Sequence, residues 1–185
     1  MMLATADGEL WRVDYSGLAN RIEKNAAKIT RMLAMPDGIA IAIGYSNGQT
    51  ILFDTASSMQ RVLPGSPDAV HDIAVTQDGK TLAIAHNDNS TYIGPVTSGD
   101  ATQWRILSLS ARSLTFTASG MLIAGSPDGL VWVYTPVTKT WECHDTGTAD
   151  LTHIALSTSG GTALIFNSEG KIFRLTLPLE RTSPQ

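Results

Sequence analysis

Two series of tight-turn residues recur along this sequence with one shared period. In the first, Pro36-Asp37-Gly38, Gln77-Asp78-Gly79, Ala118-Ser119-Gly120 and Thr158-Ser159-Gly160 follow one another at 41, 41 and 40 residues. In the second, Asp7-Gly8, Asn47-Gly48, Asp88-Asn89, Asp128-Gly129 and Glu169-Gly170 are spaced by 40, 41, 40 and 41 residues. Asp-Gly and Asn-Gly pairs supply the positive-φ residues that tight hairpins need. The two series therefore predict that one small β-unit is repeated along the whole chain.

Between the turns lie short runs of strand length, rich in β-branched and aromatic residues. The second unit, for example, predicts strands over 29–35, 39–45, 49–54 and 59–63. No segment combines a sustained helical period with caps, so almost no helix is expected. One bulky residue recurs in the third strand of every unit and is predicted to fill the core between stacked sheets: Trp11, Ile51, Tyr92, Trp132 and Phe173.

Four-stranded units of this length resemble the blades of WD-repeat β-propellers. The family's turn Asp is present as Asp7, Asp88 and Asp128. Its Gly-His pair is absent, and its closing Trp-Asp is reduced to Val13-Asp14 and Phe53-Asp54. The resemblance covers the chain and implies an all-β fold, a partial or open propeller of about four and a half four-stranded blades. The predicted units are 1–28, 29–68, 69–110, 111–149 and 150–178, forming a single domain over 1–178, with a polar tail over 179–185.

The first unit lacks its first strand and the last unit lacks its fourth, so the predicted strands fall short of five complete blades. Unpaired strand edges invite pairing with another chain. Three explanations of the missing strands are open. The chain is a piece of a larger propeller, or it is an open propeller completed by a partner's strand or blade, as is known for some coat-complex and nuclear-pore members of the family. The third is that two copies join edge to edge. The residues expected to pair at these edges are Leu3, Thr5, Ile172, Phe173 and Leu175. If Leu3 or Phe173 is replaced by a charged residue, the charge is expected to lie within such a shared edge.

Composition argues against several classes of function. With 43% hydrophobic and 16% charged residues, the chain is typical of a globular domain. Its net charge is −4 and no Lys/Arg cluster is present, which argues against nucleic acid as the partner. The N-terminus has no signal-peptide pattern, and no stretch approaches the roughly 20 apolar residues of a membrane helix. We therefore expect no membrane partner and a cytoplasmic location.

No pattern of catalytic or metal-binding residues is present. The sequence contains no Gly-x-Ser-x-Gly elbow, Walker loop or His-Glu-x-x-His. Cys143 precedes His144, but adjacent residues in a strand point to opposite faces, so they are not expected to form a nucleophile and base. The four histidines lie in different units and at different positions along them, so no metal site and no cofactor are predicted. The chain is predicted not to be an enzyme.

The resemblance to WD-repeat propellers implies a non-catalytic protein-interaction scaffold or subunit. Its open edges are expected to be completed either by self-association or by another polypeptide, which makes the chain a homo-oligomer or part of a larger propeller. Loops before the first strand and between the second and third strands share one rim of such a blade. The candidate binding residues on this rim, chosen because they vary between units, are Arg31, His71, Asp72, Arg112 and His153, with Tyr45 and His86 nearby. Two alternatives are open, a blade set of a propeller enzyme and a ligand-sensing domain, each binding a small molecule at the central channel.

Overall fold

A computed structural model describes residues 1–5, 7–157 and 161–177. They form five antiparallel sheets, and within each sheet the strands pair in the order in which they occur in the chain. This confirms the all-β fold of successive propeller blades that the two turn series predict. The turn Thr158-Ser159-Gly160 and the tail 179–185 lie outside the described residues.

The strands are numbered in chain order. Blade 1 comprises β1 (Met2–Ala4), β2 (Glu9–Val13) and β3 (Ala19–Lys24). Blade 2 comprises β4 (Ile29–Ala34), β5 (Ala40–Tyr45), β6 (Thr50–Asp54) and β7 (Gln60–Leu63). Blade 3 comprises β8 (Val70–Val75), β9 (Thr81–His86), β10 (Ser90–Pro95) and β11 (Arg105–Ser108). Blade 4 comprises β12 (Ser113–Phe116), β13 (Leu122–Gly125), β14 (Leu130–Thr135) and β15 (Thr140–Asp145). Blade 5 comprises β16 (Leu151–Leu156), β17 (Thr162–Asn167) and β18 (Ile172–Thr176).

The second turn series has the backbone geometry expected from its residues. Gly8, Gly48, Gly129 and Gly170 adopt φ values from 78° to 91°, and Asn89 takes the corresponding place in blade 3 with φ 63°. Among the described residues the one helical segment is a single 3₁₀ turn, Ala101–Gln103, whose N-cap Asp100 accepts a hydrogen bond from the Thr102 backbone N–H. The expectation of almost no helix therefore holds for the part of the chain that the structure describes.

Each pair of successive blades shares one hydrophobic core. Leu10 and Phe53 belong to the core between blades 1 and 2, and Leu63 and Ile84 to the core between blades 2 and 3. The cores between blades 3 and 4 and between blades 4 and 5 are built in the same way. Within the described ranges no fifth core joins blade 5 to blade 1, and no extensive contact connects their strands. The five blades therefore form an open arc.

Cross-strand register assigns each side chain to one of two faces of its blade, because directly paired residues of antiparallel strands share a face. We call the face toward the preceding blade the backward face and the face toward the next blade the forward face. Ile51, Tyr92, Trp132 and Phe173 all pack backward, against the core shared with the preceding blade. This confirms the core role predicted for the bulky third-strand residue in blades 2 to 5. Trp11, at the same position of blade 1, instead lies on the outward face beside Leu3.

Trp132→Ala is expected to lower the free energy of unfolding by about 3 kcal/mol, the lower end for aromatic truncation, because the indole is only partly buried. Trp132 packs edge-on against Trp141, with ring centroids 6.4 Å apart. Asp128→Ala removes the acceptor of a turn hydrogen bond from Ser126 Oγ and is expected to cost only about 1 kcal/mol. Urea unfolding followed by circular dichroism compares the two variants. If Asp128→Ala were the more damaging, the strand register would be wrong.

Candidate functional site

The first strand of each of blades 2 to 5, here called the inner strand, is β4, β8, β12 or β16. The predicted rim residues occupy two different repeat positions at the start of these inner strands. Strands β4, β8 and β16 each contain a bulge after their first residue, at Thr30, His71 and Thr152, and Arg112 precedes β12 at the matching repeat position. A bulge redirects a side chain out of the regular pleat. The two threonine hydroxyls donate to carbonyls within their own blades, whereas His71 Nε2 lies 2.9 Å from Asn87 Oδ1. In this set, only His71 and the exposed Arg112 carry ionisable groups.

The second set occupies one forward-face position on each inner strand: Arg31, Asp72, Ser113 and His153. Asp72 is 6% exposed. Its Oδ1 accepts from Arg31 Nε of blade 2 at 2.8 Å, and its Oδ2 accepts from the Leu114 backbone N–H of blade 4 at 2.8 Å. The Asp72 carboxylate, predicted as a binding group, thus makes hydrogen bonds that connect the inner strands of blades 2, 3 and 4.

Tyr45 and His86 are each 1% exposed, so the expectation that they lie beside the rim surface is wrong. Each is the last residue of the second strand of its blade, and its side chain lies on the backward face. There the preceding blade, or the segment that connects it to this blade, covers the side chain. His86 Nε2 accepts the Ser66 backbone N–H at 3.3 Å, and its ring packs edge-on against Tyr92 at 5.2 Å. Burial lowers the pKa of His86, which favours the neutral imidazole that this acceptor role requires.

The residues expected to pair at the edges have different orientations. Leu3 and Ile172 are 45% and 61% exposed, on the outward faces of blades 1 and 5. Phe173 and Leu175 point backward, into the core shared with blade 4, because successive residues of β18 alternate faces. A charge at Phe173 would therefore disrupt that core, which corrects the expectation that it would lie in a shared edge. Thr5 follows β1, and its hydroxyl accepts the Glu9 backbone N–H at 3.1 Å within the turn.

Two cross-strand pairs recur at equivalent positions on the forward face of every blade. In blades 1 to 5 the first of them is, in order, Met2/Arg12, Ala42/Leu52, Ala83/Ile93, Ile123/Val133 and Leu164/Arg174. The other is Ala4/Leu10, Gly44/Thr50, Ala85/Thr91, Gly125/Val131 and Phe166/Ile172. The first member of this second pair, here called the small-residue position, is Gly or Ala in blades 1 to 4 and Phe166 in blade 5.

The small-residue position is small because the next blade lies directly on it. A Cβ atom added to Gly44 would lie 2.5 Å from Val70 Cγ1, at the start of the inner strand of blade 3. A Cβ atom added to Gly125 would lie 3.3 Å from Ile154 Cδ1, on the inner strand of blade 5. At Gly44 even a methyl group requires Val70 to shift, and at Gly125 a methyl group fits only if Ile154 moves slightly. The forward face of blade 5 therefore carries a large aromatic side chain, Phe166, at the position where the four covered forward faces have Gly or Ala.

The outward face of blade 1 carries the apolar side chains of Leu3 and Trp11 together with an ion pair. Leu3 lies opposite Trp11, whose indole N–H donates to Glu9 Oε2 at 3.1 Å. Arg21 Nη1 lies 3.1 Å from Glu9 Oε1 in an ion pair. Tyr15 and Leu18, in the following loop, are also exposed. Among the described residues, the arc thus ends in two sheet faces on which no blade packs, one at blade 1 with the Arg21–Glu9 ion pair and one at blade 5 with Arg174.

The structure does not bring Cys143 and His144 together as a nucleophile and a base. Cys143 is paired with Trp132 and His144 with Val131, so their side chains leave β15 on opposite faces. Partial burial and the carboxylates of Asp128 and Asp145 raise the pKa of the Cys143 thiol, which disfavours the nucleophilic thiolate. Among the described residues no group of three or more His, Cys, Asp or Glu side chains is placed to hold a metal ion. The same residues include no helix long and apolar enough to cross a bilayer.

Two comparisons relate this chain to known proteins, and no family model matches it. An 82-residue stretch, 44% of the chain, is 33% identical to a Drosophila melanogaster protein described as an LST8 homolog, of which it spans 26%. The fold superposes with a TM-score of 0.81 on a propeller chain from the crystal structure of a mitotic checkpoint complex. That match covers 95% of this chain and 56% of the other at 15% identity, so it shows the fold alone. From the repeats, the blades and the structural match together, the chain has the fold of a partial β-propeller, and its repeats resemble those of WD-repeat proteins.

Proposed function

We propose that this chain is a non-catalytic protein-interaction scaffold whose outward blade faces bind protein, either a second copy or another polypeptide. The observation that carries the proposal is the open arc: among the described residues, four cores join five blades and no blade packs on the outer sheet face at either end. Leu3 at one end and Leu164 and Ile172 at the other are exposed apolar side chains on these faces. Contiguous apolar patches of this kind mark interaction sites.

The similarities support protein as the partner. The solved chain that shares this fold belongs to a mitotic checkpoint complex, which is an assembly of proteins. Nucleic acid is not the proposed partner, because the net charge is −4 and the exposed cations are dispersed over several blades. A cytoplasmic location stays a prediction.

Sedimentation velocity at micromolar concentration tests the proposal, together with amide hydrogen exchange. We expect either a species heavier than the 19.7 kDa chain or a monomer whose terminal blades exchange rapidly until a partner polypeptide covers them. Leu3→Asp and Ile172→Asp are expected to abolish association at the blade 1 and blade 5 faces respectively, because each places a charge on an apolar interface. Phe173 is unsuitable for this purpose, since its side chain packs in the core with blade 4.

Lys80→Glu is the matched control, because Lys80 lies in a turn of blade 3, away from both terminal blades, and its ammonium group faces Asp78 of the same turn at 3.6 Å. Its sedimentation should equal that of the unmodified chain. A sharp monomer with slow amide exchange in both blades 1 and 5 would mean that the arc closes on itself, and the proposal would then be wrong.

A further inference from the structure

We propose that a cleft between blades 3 and 4 binds a short segment of a partner protein. The segment inserts one unbranched apolar side chain of methionine size and places a carboxylate near Arg105 and Lys139. This inference goes beyond the proposed function, because the cleft lies between two internal blades and uses neither outward face.

The cleft lies at the rim that carries the first series of turns and has a volume of about 510 Å³. Its blade 3 wall includes Thr76, Asp78 and Ile93, and its blade 4 wall includes Phe116 and Pro136. Blades 3 and 4 each have four strands and a described blade packed on either side. The open space is therefore a property of this pair of blades and does not depend on where the described residues end.

The two neighbouring junctions between blades are filled at the equivalent place, each by a methionine and by an aliphatic residue of the next blade. Between blades 2 and 3, Met35 of blade 2 and Val96 of blade 3 are buried in one core. Between blades 4 and 5, Met121 of blade 4 and Leu177 of blade 5 are buried in one core. A methionine side chain is therefore what closes this part of a junction elsewhere in the same molecule.

Threonines replace both methionines on the forward face of blade 3. Thr76 holds the repeat position of Met35, because the carbonyl of each accepts the N–H of the residue three further on in its turn. Thr81 holds that of Met121, because the carbonyl of each accepts the N–H of the residue at which its turn begins. The Thr76 hydroxyl donates to Asp78 Oδ1 at 2.7 Å and accepts the Thr81 backbone N–H at 3.0 Å. An apolar side chain entering the cleft would thus leave this hydroxyl its partners.

Pro136 leaves the blade 4 wall open as well. Strand pairing aligns it with Val96 and Leu177, whose N–H groups donate to a carbonyl of the turn between the first and second strands of their own blades. Proline has no N–H to form this bond, and Pro136 is exposed. Phe116 beside it is only partly buried, and Val137 is exposed. Apolar side chains therefore line a space that neither blade fills, and the adaptable methionine side chain suits such a space.

The charge beside the cleft favours an acidic residue near that side chain. At Ile93 and Pro136 the cleft is continuous with a second one of about 460 Å³, which reaches Arg105 and Lys139 and has no carboxylate among its described lining residues. Arg105 Nη1 donates to the Tyr134 hydroxyl at 2.9 Å, and Lys139 forms no ion pair with a described residue. A carboxylate placed there would meet two cations and form charge-assisted hydrogen bonds, which are stronger than neutral ones.

Two substitutions test the size of the cleft. Thr76→Met should fill it and leave the urea midpoint of unfolding unchanged or higher. Thr117→Met, the same change at the equivalent position of blade 4, should lower the midpoint, because Met121 and Leu177 already fill that junction. The hydroxyls of Thr76 and Thr117 each accept a backbone N–H at 3.0 Å, so both variants lose the same hydrogen bond and differ mainly in the space available. Equal losses in the two variants would overturn the inference.

A peptide from the filled junction supplies the binding probe. Residues 33–38 contain Met35 and, two residues later, Asp37. Fluorescence anisotropy measures how the labelled, end-blocked peptide binds the full chain. We expect saturable binding that weakens about tenfold when Met35 of the peptide is replaced by Ser, because the buried apolar side chain is lost. Replacing Asp37 of the peptide by Asn should weaken binding about threefold, because the carboxylate no longer meets the two cations.

Changes in the full chain locate the site. Thr76→Met should abolish peptide binding, because its own side chain then occupies the cleft. Lys139→Glu should weaken binding about fivefold, whereas Lys28→Glu, the same charge change at an exposed residue before blade 2, should leave it unaltered. Ile172→Asp should also leave it unaltered, so a failure of this inference is distinguishable from a failure of the proposed function.

Two results would overturn the proposal directly: no saturable binding up to millimolar peptide, or binding that Thr76→Met does not change. Circular dichroism confirms that each variant folds. Sedimentation velocity separates a partner segment from a second copy of the chain. Self-association that Thr76→Met abolishes would assign the cleft to a second copy and overturn the choice of a partner segment.

Discussion

Gly44→Phe is expected to destabilise the chain by about 4 kcal/mol or more, an exceptional loss for one substitution, because the new ring meets the inner strand of the next blade. Even the first atom of the side chain would lie 2.5 Å from Val70 Cγ1 and 2.8 Å from Val70 Cβ. Val70 is 1% exposed and belongs to the core between blades 2 and 3, so it cannot move aside without opening that core. Urea unfolding followed by circular dichroism measures the loss.

The reverse change at the equivalent position of blade 5 is the matched control. Phe166→Gly is expected to cost less, about 2 kcal/mol, from the entropic penalty of glycine in a strand and the lost burial of the partly buried ring, because no described blade packs on this face. Should Gly44→Phe fail to accumulate as folded protein, Gly44→Ala supplies a measurable variant, since alanine occupies this position as Ala4 and Ala85 in other blades. Similar losses for Gly44→Phe and Phe166→Gly would show that the two forward faces are not covered differently, against the architecture described.

The strands and their grouping into blades could be predicted from the sequence because hairpins are local. Pairs such as Asn47-Gly48 dictate a turn by their own backbone preferences, and the strands on either side pair with their nearest neighbours in the chain. The core role of the bulky third-strand residue could be predicted equally well for blades 2 to 5, since one repeated position can be assigned to a shared core without knowing the partner blade. It fails at Trp11, because no preceding blade packs on that face within the described residues.

The surface residues could not be predicted in the same way, because their environment comes from other blades. The sequence predicts His86 near the rim, but the backbone at Ser66, 20 residues earlier in the chain, lies over its ring. Asp72 has partners 41 and 42 residues away, on both neighbouring blades. Phe166 breaks a series that is visible in the sequence as Gly44, Ala85 and Gly125, yet the meaning of that series requires knowing which face the next blade covers.

Asp72→Ala is expected to lower the free energy of unfolding by about 3 kcal/mol, because it removes an acceptor shared by three blades. The change leaves the Leu114 backbone N–H without its 2.8 Å partner, and Leu114 is only 6% exposed. It also leaves the Arg31 guanidinium without its 2.8 Å partner, although 39% of that side chain is exposed and can be hydrated. The larger part of the loss is therefore expected at the contact with blade 4. Urea unfolding measures the total, and amide exchange at Leu114 measures the local part.

Two further variants separate these contributions. Asp72→Asn retains a side-chain oxygen for the Leu114 N–H and loses the charge, so its cost should be about half that of Asp72→Ala. Arg31→Ala removes only the partly exposed partner and should cost about 1 kcal/mol or less. Because Asp72 connects blade 3 to both neighbours, faster exchange after Asp72→Ala should extend along β4, β8 and β12 and spare blade 1. A loss below about 0.5 kcal/mol, the range of ordinary surface substitutions, would mean that the carboxylate does not hold the inner strands together. Asp72 would then be free to act as the binding residue that the sequence predicts.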